Sequence, residues 1–132
     1  MKPVLRNKDK GTILERYFKS FIHALEGIVY AFKYEHNMII IGLAAIVAIL
    51  AGFIFGISSA EWFFVLIIIG LIAATEMINT AIEALVDLVT TKTHPLAKIA
   101  KDTASSATLI LSMTAFVGAL VIFVPKIIEL LK

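Results

Sequence analysis

The sequence predicts an all-α membrane protein, with three transmembrane helices and an N-terminal amphipathic surface helix in a single domain over 1–132. Three observations lead there. The 132 residues are 60% hydrophobic and only 17% charged, whereas soluble domains carry about 25% charged and about 45–50% apolar residues. A water-exposed globule needs polar cover that this chain lacks. Long apolar runs recur along the chain, and since a bilayer crossing takes roughly 20 residues, 132 residues have room for about three or four spans. Ahead of the first run, apolar residues repeat at helical three-and-four spacing.

Met1 to Gly11 is short, basic and polar, and is expected to fray. The first 37 residues contain no uninterrupted apolar run, so no cleavable signal peptide is expected. Over 12–34, Ile13, Leu14, Tyr17, Phe18, Phe21, Ile22, Leu25, Ile28, Val29 and Phe32 share one helical face, with Glu15, Arg16, Lys19, His23, Glu26 and Lys33 on the rest. Charge is too dense there for a span, and the two faces suit a helix lying along the membrane surface. The alternative is a cytosolic helix packed on its own bundle.

The first crossing is expected over 38–57, twenty residues without a charge, which matches a hydrocarbon core of roughly 30 Å. Gly52 and Gly56 form a GxxxG pair, read as close helix packing. After the short turn Ser58 to Glu61, a second crossing opens on the interfacial Trp62 and runs over 62–89. That is about 42 Å, more than the bilayer needs, so its last turns emerge into the headgroups. Thr93-His94-Pro95 carries turn chemistry, followed by an expected short helix. The third crossing is placed over 104–124, with its apolar run from Thr108 to Val124 and a stop at Pro125.

Seven Lys or Arg precede the first crossing, none lies in the loop after it, three lie between the second and third, and two follow the last. The inside-positive rule then puts the amino terminus and the second loop in the cytoplasm and the carboxyl terminus outside. The absence of cysteine excludes disulfides, zinc-thiolate sites, iron–sulfur clusters and a cysteine nucleophile. A bundle this thin is expected to associate with further copies. Nothing in the charge pattern points to nucleic acid as a partner.

The chemistry concentrates on the second crossing. Glu76, Asn79, Glu83 and Asp87 lie at offsets of 0, 3, 7 and 11 and so share one helical face. A carboxylate facing lipid costs at least about 2.5–3.5 kcal/mol, so the stripe is either buried in protein or meets cations at the surface. Counting from Trp62, Glu76 lies about 21 Å along the axis, inside the hydrocarbon but towards its cytoplasmic side, and Glu83 about 32 Å along, at the headgroups. This depth suits a proton acceptor for something dissolved in the membrane, with ligands for a hard cation such as magnesium above it. A purely structural polar stripe is the plainer reading, but four such residues on one face favour function. Glu35, Lys92, Thr93, His94, Lys101 and Asp102 gather on the same expected side, as a polyphosphate site requires. No P-loop and no protein-kinase motif is present.

The segment Glu76-Met-Ile-Asn79-Thr80-Ala-Ile-Glu83-Ala-Leu-Val-Asp87, with Lys101-Asp102 fourteen residues later, resembles the signature of the small prokaryotic diacylglycerol kinases, which are integral membrane lipid kinases. The likeness runs from Arg16 onward, and Glu35-His36-Asn37 is similar to the Gram-positive branch, whose members act as undecaprenol kinases. It implies an ATP-dependent kinase of the bacterial cell membrane, phosphorylating undecaprenol, or alternatively diacylglycerol, and working as a homotrimer. By that resemblance Glu76 is the general base towards the lipid hydroxyl, with Asn79 and Lys101 beside it in catalysis. Glu35 and Glu83 hold magnesium with ATP. Arg16 and His23 approach the nucleotide, Arg16 also reaching the lipid, and His23 replaces an aromatic hydroxyl. Lys92, Thr93 and His94 lie near the adenosine, and Lys101 and Asp102 contact ATP.

Phosphoryl transfer needs positioning and charge neutralisation more than covalent catalysis, and these residues suit it. A partly desolvated Glu76 is a better proton acceptor from a primary alcohol. The competing class is a small proton-coupled transporter with Glu76 as a relay, which leaves Glu83, Asp87, Lys101 and Asp102 without a task. A scaffold or pore-former explains none of them.

Overall fold

The computed structural model describes residues 12–132; the expected fraying of Met1 to Gly11 lies outside them. The described chain is four helices in the order α1 (Ile13–Tyr34), α2 (His36–Phe55), α3 (Ser59–Val89) and α4 (Pro95–Leu130). The last three are long and apolar enough to cross a membrane.

Thr12 opens α1 with a capping box. Its hydroxyl accepts from the Glu15 amide at 3.3 Å, and Glu15 Oε2 accepts from the Thr12 amide at 2.9 Å. Two of the helix's unpaired amides are thereby satisfied. Every residue from 12 to 30 is exposed, on the apolar face as well as the charged one, and Ala31 is the first to be buried. Within the single chain, α1 does not bury its apolar face along the bundle. Only the end of α1 is held, where the Phe32 ring lies against Gly42 of α2. Glu35 alone separates the two helices, capping the end of one and the start of the next in an extended conformation.

Gly52 and Gly56 do different things. A Cβ at Gly52 would come within 2.8 Å of the Trp62 indole, so that glycine does allow close approach. Gly56 packs on nothing; it ends α2 in the left-handed region at φ 59°, which costs glycine no steric strain. The expectation of a packing pair is therefore corrected to one packing glycine and one helix terminator.

Helix α3 begins at Ser59, three residues before the expected Trp62, because Ser58 and Glu61 form a second capping box. Its buried residues Val65, Ile68, Ile72, Glu76 and Asn79 are spaced by three and four and form one stripe. The stripe is apolar at the start of the helix and polar towards its end. At the apolar end Ile57, Val65 and Ile122 form a small core with Trp62, Phe64 and Phe123 around it.

Helix α4 departs most from expectation. The expected short helix after Pro95 and the crossing placed over 104–124 are one continuous helix of 36 residues. Proline at the first helical position lacks an amide that would be unpaired there anyway, and His94 Nδ1 caps the start by accepting from the Leu96 amide at 3.2 Å. Pro125 does not stop the helix, which continues to Leu130. Membrane helices tolerate an interior proline when neighbouring groups steady the turn; here Lys126 Nζ lies 3.5 Å from Glu61 Oε2 at the start of α3. At about 54 Å, α4 overshoots the bilayer, so its first turns stand beside the polar end of α3.

Candidate active site

Close packing of α3 on α4 positions the candidate residues. Near the start of α3, Gly118 lies so close to Phe64 that a Cβ there would fall within 2.3 Å of the ring. At the other end Lys101 Nζ of α4 donates to Asp87 Oδ1 of α3 at 2.6 Å. The polar stripe of α3 is held between these two points.

Glu76 is 2% exposed and lines a pocket of about 250 Å³ between α2, α3 and α4. Asn37, Ile40 and Ile41 of α2 form one wall, and Ser105, Thr108, Leu109 and Ser112 of α4 form another. An apolar groove of about 370 Å³ shares Ile40, Ile41 and Ser112 with this pocket and runs towards Phe64 and Phe123. The three shared residues place the polar groups around Glu76 next to an apolar lining.

One turn beyond Glu76, Asn79 Nδ2 donates to Glu83 Oε1 at 3.1 Å. Asn79 Oδ1 is buried and has no hydrogen-bond partner among the described residues. Glu83 is half-buried, as is Glu35 at the α1–α2 junction. No three carboxylate or imidazole groups converge on one point among the described residues. Magnesium nevertheless fits the oxygens present. It is commonly held by one or two carboxylates, with phosphates and water completing its octahedron, and the unpartnered Asn79 oxygen stands beside the Glu83 carboxylate.

Beyond Glu83 the stripe opens into a rim cavity of about 700 Å³, where Asp87, the loop from Thr90 to His94, Lys98, Lys101 and Asp102 meet. Lys98 pairs with Asp102 one turn along α4. The loop is tightened by the Thr90 hydroxyl, which accepts from the Lys92 amide at 3.2 Å. Three lysines against two aspartates leave the rim with a positive excess, the sign a polyphosphate requires.

The fold thus gathers Lys92, Thr93, His94, Lys101 and Asp102 at one cavity, and Glu76, Asn79 and Glu83 on one stripe leading to it. It does not bring Arg16 and His23 there. Both are exposed on α1, where His23 Nδ1 lies 3.0 Å from Glu26 Oε2 of the same helix. The sequence reading quoted Asn37 only within the likeness carried by Glu35-His36-Asn37, and it did not single out Ser105 and Thr108 around Glu76, nor Lys98 at the rim. Ser105, Thr108 and Ser112 follow the same 0, 3, 7 spacing as Glu76, Asn79 and Glu83, a signal that hydroxyls on an apolar helix readily hide.

Comparison with known proteins bears on what such a site does. The prokaryotic diacylglycerol kinase profile matches residues 22–123, which include Glu35 and the whole of α2 and α3. An undecaprenol kinase of Bacillus subtilis is 40% identical over 121 residues, 92% of this chain and 98% of that protein. A diacylglycerol kinase of Synechocystis is 30% identical, covering 94% of this chain and 71% of that protein. One of Helicobacter pylori is 36% identical over 103 residues, 78% of this chain and 79% of that protein. With three membrane-crossing helices, a carboxylate stripe and matches spanning both, the chain belongs to the prokaryotic diacylglycerol kinase family of membrane lipid kinases.

Proposed function

We propose that the protein transfers the γ-phosphoryl group of ATP to the hydroxyl of undecaprenol, giving undecaprenyl phosphate. The observation that carries this reading is Glu76, buried in a pocket that shares three lining residues with an apolar groove, in a chain 40% identical to an undecaprenol kinase. A lipid alcohol reaches that carboxylate from within the membrane, its tail in the groove and its hydroxyl in the pocket. ATP meets the rim from the water.

Glu76 takes the proton of the alcohol as its oxygen attacks. Lys101 offsets the charge spread over the γ-phosphoryl oxygens, and Asp102, paired with Lys98, contacts ATP beside it. Lys92, Thr93 and His94 border the adenosine end of the cavity. Glu83 and Glu35, with the Asn79 oxygen, hold magnesium, which when bound neutralises phosphate charge. Asn79 keeps Glu83 in place through the hydrogen bond from its amide.

In this reading α1 lies along the cytoplasmic membrane surface, where Arg16 and His23, two turns apart, approach the nucleotide and Arg16 the lipid. The chain works as a homotrimer in the bacterial cell membrane, its carboxyl terminus outside. The bareness of α1 on every side from 12 to 30 supports both ideas, since its apolar face needs lipid or another copy to cover it.

Relatives named diacylglycerol kinase at 30 and 36% identity favour a second acceptor, diacylglycerol. The test is label transfer from ATP by the purified protein, with magnesium and each lipid alcohol in parallel detergent micelles. Transfer to undecaprenol that is abolished by Glu76→Gln is the expected result. Exclusive transfer to diacylglycerol replaces the acceptor, and ion flux in liposomes without ATP turnover overturns the kinase reading.

A further inference from the structure

The Glu76 pocket contains a hydroxyl that the mechanism above leaves unused. Thr108 is 9% exposed, lines the pocket, and its Oγ1 is buried with no hydrogen-bond partner among the described residues. Helical hydroxyls ordinarily avoid this by bonding back to the carbonyl one turn earlier. Others in this protein do so: Thr75 Oγ1 donates to the Leu71 carbonyl at 2.7 Å, Ser106 Oγ to that of Asp102 at 2.7 Å, and Thr114 Oγ1 to that of Ile110 at 2.9 Å. Thr108 is flanked by two of these on the same helix and does not.

Leaving a buried hydroxyl unpaired is costly, and an apolar residue of the same shape would avoid the cost. A valine would fill the space equally well. Thr80 Oγ1 is likewise buried without a partner among the described residues, but only Thr108 lines the Glu76 pocket, and the pocket limits what its hydroxyl meets. Apart from Thr108 its polar groups are the Glu76 carboxylate, the Asn37 amide, and Ser105 and Ser112 towards its edges. Leu109, Ile40 and Ile41 close the remainder. At about 250 Å³ it takes the polar end of an alcohol and not a nucleotide.

We propose that Thr108 is a substrate-contacting residue that positions the acceptor alcohol, donating a hydrogen bond from Oγ1 to the oxygen that attacks phosphorus. This rests on the kinase reading above. The acceptor oxygen is then held from two sides, donating its own hydrogen to Glu76 and accepting one from Thr108. As the new O–P bond forms, the alcohol proton passes to Glu76. The bond from the γ-phosphorus to the bridging oxygen breaks, and ADP leaves. Negative charge growing on the alcohol oxygen before that bond is complete is stabilised by the Thr108 donor, so its contribution is largest in the transition state.

The test compares Thr108→Val, which keeps the shape and removes the donor, with Thr108→Ser, which keeps the donor. Both are assayed against undecaprenol and diacylglycerol at saturating ATP, and then against ATP at saturating lipid. The valine variant is expected to lose about tenfold to a hundredfold in kcat/KM for the lipid alcohol, the range of a hydrogen bond to a developing charge. Its KM for ATP stays at the wild-type value, and the serine variant recovers to within about threefold. Wild-type kinetics for the valine variant overturn the proposal, as do equal losses in both variants or a parallel rise in KM for ATP. If the valine variant does not fold, Thr108→Ala, which only removes atoms, is judged by the same criteria. A wild-type protein that phosphorylates neither alcohol instead overturns the kinase reading on which the proposal stands.

Discussion

Asn79 donates from Nδ2 to Glu83 Oε1 across one turn of α3, at 3.1 Å, while its own Oδ1 remains buried and unpartnered. Only the amide nitrogen can donate to a carboxylate, so this bond fixes which way the Asn79 side chain faces. It restrains the Glu83 rotamer and sets a second oxygen beside it. Groups that orient a metal-binding carboxylate usually matter about tenfold to a hundredfold in metal affinity. Asn79→Ala is therefore expected to raise the magnesium concentration for half-maximal transfer by about that factor, and Glu83→Ala and Glu35→Ala by more. Glu61→Ala, at the far end of α3, lowers thermal stability through loss of the capping box and the Lys126 contact without moving the magnesium titration. Superimposable magnesium titrations for wild type and Asn79→Ala contradict the assignment.

At the rim, His94 has a structural task alongside its proposed place near the adenosine. Its Nδ1 accepts from the Leu96 amide and so caps the long α4 helix. Asparagine serves the same position, whereas alanine costs about 1 kcal/mol at a helix start. His94→Ala is expected to lower the unfolding free energy in detergent by about that amount, and His94→Asn by much less. Comparing KM for ATP in the two variants separates capping from nucleotide contact. If only the alanine variant is impaired, the imidazole acts through the helix; if both are, it meets the nucleotide.

Much of this arrangement is legible in the sequence, and what escapes has a physical reason. The crossings are readable because a bilayer penalises charge, and the stripe from Glu76 to Asp87 because 3.6 residues complete a turn. The continuity of α4 escapes because Thr93-His94-Pro95 and Pro125 look alike as punctuation. The first is a helix start, and the second is carried inside the helix next to a lysine that meets Glu61. The pair Gly52 and Gly56 misleads in a similar way, since a spacing motif does not reveal a positive φ. The place of Asn37 and Thr108 around Glu76 escapes because a single polar residue acquires meaning only when another helix brings a carboxylate to it.

Lys101 and Asp87 give a third expectation. Their ion pair joins α4 to α3 at 2.6 Å, but the two side chains are 35% and 57% exposed. Pairs so open to solvent contribute between about 0 and 1 kcal/mol. Asp87→Asn should therefore change the unfolding midpoint little. Lys101→Met also leaves stability nearly unchanged, yet it removes a cation proposed to face phosphate and lowers kcat/KM for ATP by about tenfold to a hundredfold. A loss of activity matched by an equal loss of folding would make Lys101 a structural residue.

The fourth expectation concerns the contact on which the whole site depends. At Gly118 a Cβ would lie 2.3 and 2.4 Å from two carbons of the Phe64 ring, closer than any real contact allows. The ring also packs against the core around Ile57, Val65 and Ile122, so it has little freedom to withdraw. Gly118→Ala must then separate α3 from α4 or force Phe64 off its rotamer, at a cost of about 1–3 kcal/mol for an overpacked core. That loss outweighs the roughly 1 kcal/mol that alanine gains over glycine as a helix former. Shrinking the ring should reverse it: in Gly118→Ala with Phe64→Leu, the added methyl occupies space that the ring vacates. The double variant is expected to unfold at a higher temperature than Gly118→Ala alone, with a coupling of at least about 0.5 kcal/mol between the positions. Strict additivity would mean that the helices do not approach closely at Gly118. The rim pair Lys101–Asp87, too exposed to hold the helices by itself, would then be left without its anchor at the other end of the interface.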